Sequence, residues 1–136
     1  MQSPAGTYLL IIRDAPPETY DALPAEERLQ GMRQWNAWVD GMQRGGRIDR
    51  ADTLEGAGRV VGGARADRVM DGPFAEAKEM VGGYFLVRAA DLDEATALAR
   101  ECPFLRYGMS IEIRPVAAAC HLARSLGWET MEEPAA

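Results

Sequence analysis

Asp71 is the residue of this sequence with the best combination of type and setting for acid–base chemistry. It opens the turn-forming segment Asp71-Gly72-Pro73-Phe74, in which a carboxylate bonds the backbone ahead of it while glycine and proline fix the bend. We expect apolar side chains such as Phe74 and Trp35 beside it, a setting that suits proton transfer by a carboxyl group. The same carboxylate also fits a purely structural role as a turn cap, so both interpretations stand.

Three side chains are candidates to surround a ligand next to this carboxylate. Trp35 forms an aromatic wall in one interpretation and packs in the core in the other. Asn36 either orients a ligand through its carboxamide or ends the apolar stripe of its helix. Lys78 pairs with Asp71, holds an anionic ligand, or forms an ordinary surface contact.

Two charged residues near the end of the chain complete the candidate set. Glu112 and Arg114 alternate with isoleucines and therefore share one face of a strand, which is either a polar floor of the cleft or a solvated surface. The sequence thus predicts Asp71 as the catalytic group with the following substrate-binding residues: Trp35, Asn36, Phe74, Lys78, Glu112 and Arg114.

Metal, nucleophile and nucleotide chemistry have little support in the sequence. A structural zinc site needs four Cys or His ligands, and the chain has two cysteines and one histidine. Cys102 ends a predicted helix, where the dipole disfavours a thiolate, and Ser110 has no evident base. The glycines near Gly56 lack the third glycine and the following helix of a phosphate-binding loop. We therefore expect no metal and no tightly bound cofactor.

Composition places the chain among globular proteins of one domain. It has 136 residues, of which 47% are hydrophobic and 26% charged, and its formal net charge is −6. This charge argues against a surface that tracks nucleic-acid phosphates. The longest aliphatic run, Leu9 to Ile12, is far shorter than the roughly 20 residues of a membrane span. We expect a cytoplasmic protein that binds neither nucleic acid nor membrane.

Hydrophobic periodicity predicts the elements that position these residues. The run that ends at Arg13 is typical of a strand buried on both faces, and a polar, proline-bearing connection follows. Gly82-Gly83 in a later strand allow a bulge or a close backbone approach. In order, the pattern predicts a strand over 7–13, a helix from about 24 to 44, two short strands at 60–61 and 66–70 around a tight turn, a strand over 80–88, a helix capped by Asp91 that ends before Pro103, a strand over 111–114 and a helical tail over 117–126.

Several motifs in this order resemble one known family. The segment Asp71-Gly-Pro-Phe-Ala-Glu-Ala-Lys-Glu79, followed by Gly82-Gly83-Tyr84, resembles the signature of the YCII-related, or DGPF-domain, family. Further matches are Met32-Arg-Gln-Trp-Asn36, Asp93-Glu94-Ala95, Cys102-Pro103 and Ile111-Glu-Ile-Arg-Pro-Val116. The resemblance implies a ferredoxin-like α+β sandwich with an antiparallel sheet over residues 1–116, of the dimeric α+β barrel type, and leaves 117–136 as a helical extension with a frayed acidic tail.

The resemblance also bears on function, because family members are similar to small dimeric enzymes. In one branch, a histidine on the first helix and the motif aspartate are proposed to transfer protons. This chain has Trp35 and Asn36 at the comparable positions, so the imidazole is missing.

We therefore predict a homodimer that binds a small molecule. Asp71 acts in it as an acid–base or orienting carboxylate without a histidine partner. The alternative is a non-catalytic ligand-sensing or protein-interaction module linked to sigma-factor regulation.

Overall fold

The computed structural model describes residues 6–72 and 80–135. Over these residues the elements are β1 (Thr7–Asp14), α1 (Pro17–Asp21), α2 (Ala25–Arg44), β2 (Ile48–Thr53), β3 (Gly58–Gly62), β4 (Arg68–Gly72), β5 (Met80–Arg88), α3 (Leu92–Arg100), a 3-10 turn (Leu105–Tyr107), β6 (Ser110–Pro115) and α4 (His121–Ser125). Across the described ranges, no helix has the length and apolarity that crossing a membrane requires.

Four strands form one antiparallel sheet in the order β2-β5-β1-β6. The central strand β1 pairs with β5 from Thr7 opposite Arg88 to Asp14 opposite Met80, and its other edge pairs with β6. In chain order, the four strands of this sheet are β1, β2, β5 and β6. Counted across the sheet from β6, they are the fourth, first, third and second strand, which is the ferredoxin-like arrangement. The predicted α+β class with an antiparallel sheet is confirmed.

One face of this sheet packs against α2 and α3 to form the core. Trp38 of α2 donates its indole N–H to the carbonyl oxygen of Leu98 at 3.0 Å, which joins the two helices. The buried core residues come from both layers and from the segment after α3: Leu10, Ile12, Phe85, Val87, Trp38, Met42, Ala99, Cys102, Phe104 and Met109. Alternation along β1 and β5 explains the pattern, because every second side chain points to the same face.

The helix ends follow the capping signals of the sequence. Helix α2 begins directly after Pro24, has Glu26 and Glu27 in its first turn, and ends at Gly45. At α3, the side chain of Asp91 accepts a hydrogen bond from the backbone N–H of Glu94 at 2.8 Å. The predicted helix starts near 24 and at Asp91 are confirmed.

A separate antiparallel hairpin is formed by β3 and β4. It agrees with the two short strands predicted at 60–61 and 66–70, although Asp71 and Gly72 continue β4 rather than opening a turn. Asp71 is exposed and lies opposite Arg59. The hairpin also exposes apolar side chains, with Val61 at 65% and Val69 at 56% of full exposure. These valines leave apolar surface exposed on the hairpin. A two-stranded hairpin is only marginally stable on its own.

Three further elements differ from the sequence prediction. Strand β2 was not predicted, because its sequence IDRADT is mostly polar and its position at the sheet edge needs little apolar surface. Helix α1 lies within the segment predicted as a plain connection. Helix α4 covers only part of the predicted 117–126 tail helix. It starts after Cys120, whose sulfur accepts a hydrogen bond from the N–H of Ala123 at 3.4 Å.

The sheet face away from the helices carries a mixed surface. Leu9, Ile11 and Leu86 alternate with the core residues of their strands and lie on this opposite face, partly exposed. At its edge, Arg13 donates to the carboxylate of Glu112 at 2.7 Å. The face therefore has an apolar centre with an ion pair beside it.

Candidate functional site

A cavity of about 320 Å³ lies between α1 and α2 and the end of the sheet where β1 and β2 finish and β5 begins. We refer to it as the Asp14 cavity. Fourteen of the described residues line it: Ile12, Asp14, Tyr20, Arg28, Met32, Trp35, Asp52, Thr53, Gly82, Gly83, Tyr84, Phe85, Phe104 and Met109. This volume is within the range of small-molecule sites.

Aromatic rings make up much of the cavity wall. The centroid of Trp35 is 5.7 Å from that of Phe85 and 6.0 Å from that of Phe104, and Phe104 in turn meets Tyr20 edge-on at 5.9 Å. These separations are typical of favourable ring pairs, so the rings hold one another in place. The wall is therefore a rigid, apolar surface that suits a flat or hydrocarbon ligand.

Asp14 is the half-buried carboxyl group of the cavity. The hydroxyl of Tyr20 donates to Asp14 Oδ1 at 3.3 Å and accepts the backbone N–H of Ala15 at 3.1 Å. Burial raises the pKa of Asp14 above its usual range, and the hydrogen bond from Tyr20 offsets this only in part. Asp14 is thus a carboxyl group whose proton is exchanged nearer to neutral pH than that of a solvated aspartate.

The backbone of β5 makes room for the Asp14 side chain. The pairing of β1 with β5 shifts between Ile12 and Arg13, so that Ile12 lies opposite Gly83 and Arg13 opposite Val81. Gly82 is the extra residue of this bulge, and a Cβ atom there would overlap the Asp14 carboxylate. Glycine at this position is therefore required for the observed place of the carboxyl group.

Asp52 is the second carboxylate among the lining residues, and its surroundings are the opposite of those of Asp14. Tyr84 Oη donates to Asp52 Oδ2 at 2.6 Å, and Arg50 Nε donates to the same oxygen at 2.8 Å. The hydrogen bond from Tyr84, followed by that from Arg50, lowers the pKa of Asp52. The pKa values of the two carboxyl groups are therefore shifted in opposite directions. Such a pair suits one acid–base group, here Asp14, and one group that stays charged, here Asp52.

One of the residues predicted from the sequence to bind a ligand is in this lining, and others are placed elsewhere. Trp35 contributes to the cavity wall and to the ring cluster. Asn36 is exposed on α2 and does not line the cavity. On β6, Arg114 Nη1 lies 3.8 Å from Glu112 Oε2. The hydrogen bond from Arg13 lowers the pKa of Glu112. Neither Asn36, Glu112 nor Arg114 is among the described residues that line the Asp14 cavity.

Asp71, predicted as the catalytic group, lies on the β3–β4 hairpin and not among the residues that line the Asp14 cavity. Phe74 and Lys78 lie outside the described residues. His121, the single histidine, is exposed at the start of α4 and is not a lining residue either. The structure thus does not bring Asp71 together with Trp35 within the residues it describes.

Sequence reasoning missed Asp14, Tyr20 and Asp52. A signal for Asp14 was present, because an acidic residue directly ends a buried strand and Gly82-Gly83 allow a close approach by another chain segment. Placing Asp14 next to Gly82 requires the pairing register of β1 with β5, which hydrophobic periodicity does not specify. Tyr20 lies in a segment that had no predicted helix, and Asp52 lies in the unpredicted strand β2.

The fold and the cavity define the class of protein: a ferredoxin-like α+β domain with a cavity between its helices and the end of its sheet. The profile of the YCII-related domain matches residues 7–118, so the chain belongs to the YCII-related family. This confirms the resemblance that the Asp71–Glu79 segment and the other motifs indicated.

Two further comparisons concern individual proteins. The chain is 48% identical over 50 residues to the uncharacterized protein R00369 of Rhizobium meliloti (strain 1021), a match that covers 36% of this chain and 40% of that protein. It is also similar to the solved structure of 5-chloro-2-hydroxyhydroquinone dehydrochlorinase (TftG) from Burkholderia phenoliruptrix AC1100 in complex with 2,5-dihydroxybenzoquinone. That similarity has 15% identity and a TM-score of 0.47, and it covers 79% of this chain and 90% of that one.

Proposed function

We propose that this protein binds a small organic molecule in the Asp14 cavity. The observation that carries the proposal is an aromatic-walled space of about 320 Å³ that contains one half-buried carboxyl group of raised pKa. An apolar pocket with few polar groups and a perturbed titratable residue is the usual combination at ligand-binding and active sites. The apolar wall contributes affinity, and Asp14 contributes orientation.

Asp14 also has the properties of an acid–base group. Its raised pKa brings proton exchange closer to neutral pH, and the Tyr20 hydroxyl donates to Oδ1, while no described residue donates to Oδ2. In an enzymatic version of this proposal, Asp14 moves a proton on the bound molecule while Asp52 stays ionised. The role predicted for Asp71 from the family motif remains a separate proposal, and the same experiment tests it.

The experiment is a thermal-shift screen of small metabolites with three proteins: the wild type, Asp14→Asn and Asp71→Asn. A ligand at about 100 times its Kd stabilises a fold by about 2.7 kcal/mol. We expect a stabilising compound class for the wild type and Asp71→Asn that has no effect on Asp14→Asn. Loss of the response only in Asp71→Asn would favour the motif carboxylate instead. A screen in which no compound stabilises the wild type contradicts the proposal.

The proposed assembly is a homodimer that forms through the sheet face away from the helices. The apolar centre of this face at Leu9, Ile11 and Leu86 supports it, because a second copy would remove this surface from water. The family resemblance implies the same dimeric barrel. We place this function in the cytoplasm, where the free thiols of Cys102 and Cys120 stay reduced.

A second candidate function is a protein-interaction module whose candidate partners include sigma factors. The exposed valines of the β3–β4 hairpin favour it, because apolar patches of this kind are typical of interaction surfaces. In that case Val61→Asp with Val69→Asp abolishes copurification with an extracytoplasmic-function sigma factor and leaves the melting temperature unchanged. Copurification that survives both substitutions contradicts this alternative.

A further inference from the structure

The charged groups of the Asp14 cavity are unequally satisfied. Asp52 accepts hydrogen bonds from both Arg50 and Tyr84, so its charge is already neutralised at the protein surface. Asp14 accepts one hydrogen bond, from the neutral hydroxyl of Tyr20, and no ion pair joins it to a lysine or arginine of the described chain. Asp14 is therefore the cavity group that gains most from a positively charged partner.

Asp14 contacts the protein on two sides. Its carboxylate lies over Gly82 in the bulge of β5, and the hydroxyl of Tyr20 donates to its Oδ1. Arg28, the one cation among the described lining residues, is an exposed residue of α2. Because solvent screens exposed charges strongly, Arg28 affects a ligand in the cavity less than the half-buried Asp14 does.

The rest of the wall favours the same sign of charge. The ring cluster of Trp35, Phe85 and Phe104 presents π systems that attract cations electrostatically, tryptophan most strongly. Met32 and Met109 add soft, polarizable surface to the lining. An organic cation with an apolar body matches both features, since its body contacts the rings while its charged end meets the carboxylate.

We propose that the Asp14 cavity selects an organic cation, specifically a protonated amine on a small aromatic or aliphatic body. The ammonium group donates to Asp14 Oδ2, and the body lies against Trp35 and Phe104. This inference rests on the proposed function and adds the charge class of its ligand. Neutral and anionic molecules of the same shape bind less tightly, because neither forms an ion pair with Asp14.

The test uses three probes with one skeleton and different charges: 2-phenylethylamine as the cation, 2-phenylethanol as the neutral analogue and phenylacetate as the anion. Their dissociation constants are measured by isothermal titration calorimetry at neutral pH with the full chain. We expect the amine to bind at least about tenfold more tightly than the alcohol, which corresponds to about 1.4 kcal/mol, and the anion to bind most weakly.

Two variants show whether Asp14 causes the preference. Asp14→Asn keeps an acceptor for Tyr20 but removes the charge, so the amine and the alcohol are expected to bind within about threefold of each other, a difference of less than about 1 kcal/mol. Asp93→Asn makes the same change at an exposed residue of α3 outside the cavity lining and retains the full preference. A thermal melt of each variant verifies that it is folded.

The outcomes separate this inference from the proposed function. If the alcohol or phenylacetate binds the wild type as tightly as the amine, the cavity binds small molecules but does not select cations, and the inference is overturned. A preference that survives in Asp14→Asn overturns the inference as well. If no probe binds at millimolar concentration, the inference fails, and the proposed function fails with it only when the metabolite screen also gives no stabilising compound.

Discussion

Asp14 lowers the stability of the fold at neutral pH and is also the group proposed to contact the ligand. Burial raises its folded-state pKa, so between the ordinary aspartate value of 3.8 and that higher pKa the folded protein keeps a proton that the unfolded chain has lost. The free energy of unfolding therefore falls as pH rises through this window, and above it the ionised group is a fixed penalty. A group that reduces stability in this way is typical of a functional site.

We therefore expect Asp14→Asn to be as stable as the wild type or more stable at neutral pH, and to lack this part of the pH dependence. The measurement is urea unfolding of both proteins over a series of pH values from the acid range to neutral. The amide retains an acceptor for Tyr20, so no hydrogen bond is lost. A neutral-pH destabilisation above about 1 kcal/mol, the size of a lost native hydrogen bond, would contradict the account.

Gly82 offers a second test at a single residue. In Gly82→Ala the new methyl group overlaps the Asp14 carboxylate, which is the movable end of a half-buried side chain, so we expect the free energy of unfolding to change by less than about 1 kcal/mol. Ligand stabilisation should disappear, because Asp14 must leave its place. Gly56→Ala is the control, since its nearest neighbour would be Met80 Cε at 3.9 Å. A ligand response of Gly82→Ala equal to that of Gly56→Ala would show that the carboxylate does not occupy this position.

Helix α2 forms one wall of the cavity, and two of its glycines test how tightly it packs. A Cβ atom at Gly31 would lie 2.9 Å from Phe104 Cζ, whereas one at Gly41 would meet nothing within 4 Å. Gly41→Ala should therefore raise the free energy of unfolding by about 0.5–1 kcal/mol through helix propensity. Gly31→Ala should lose this gain, because Phe104 must shift. Chemical denaturation of both variants measures the difference, and equal stabilisation would contradict the observed α2 packing.

The β3–β4 hairpin tests the role predicted for Asp71 from the sequence. Asp71 is exposed on this element, so Asp71→Asn should change the free energy of unfolding by no more than about 0.5 kcal/mol and leave ligand stabilisation intact. Melting curves with and without a ligand from the screen measure both. A folded Asp71→Asn protein that has lost the ligand response would instead support the motif carboxylate as the functional group.

Most core elements could be predicted from the sequence, because long periodic segments and caps are local signals. The buried run of β1, the Asp91 cap of α3 and the alternating residues of β6 all have their predicted type. Strand β2 could not be predicted, since an edge strand with a polar sequence has no such signal. The cavity depends on register: Trp35 was identified because tryptophan is conspicuous on a helix, but the placement of Asp14 over Gly82 arises from a bulge between strands distant in sequence.

At the scale of the whole molecule, the open sheet face predicts assembly. Light scattering at micromolar concentrations should give about twice the monomer mass of 14.9 kDa. Leu9→Lys places a charge in the apolar centre of this face, opposite Arg114, and should shift the protein to monomers, since an unpaired charge at an interface is costly. Leu29→Lys, an exposed position of α2, is the control and should remain dimeric. A wild-type mass of one chain would refute the homodimer.

The central claim is that a small molecule binds in the Asp14 cavity, and methyl NMR of the methionines tests it most directly. Met32 and Met109 line the cavity, whereas Met70 lies on the hairpin near Asp71 and Met131 lies in the tail after α4. Titration of the full chain with a compound from the screen should shift the signals of Met32 and Met109 and leave those of Met70 and Met131 in place. Shifts confined to Met70 or Met131 would put the binding site elsewhere and contradict the account.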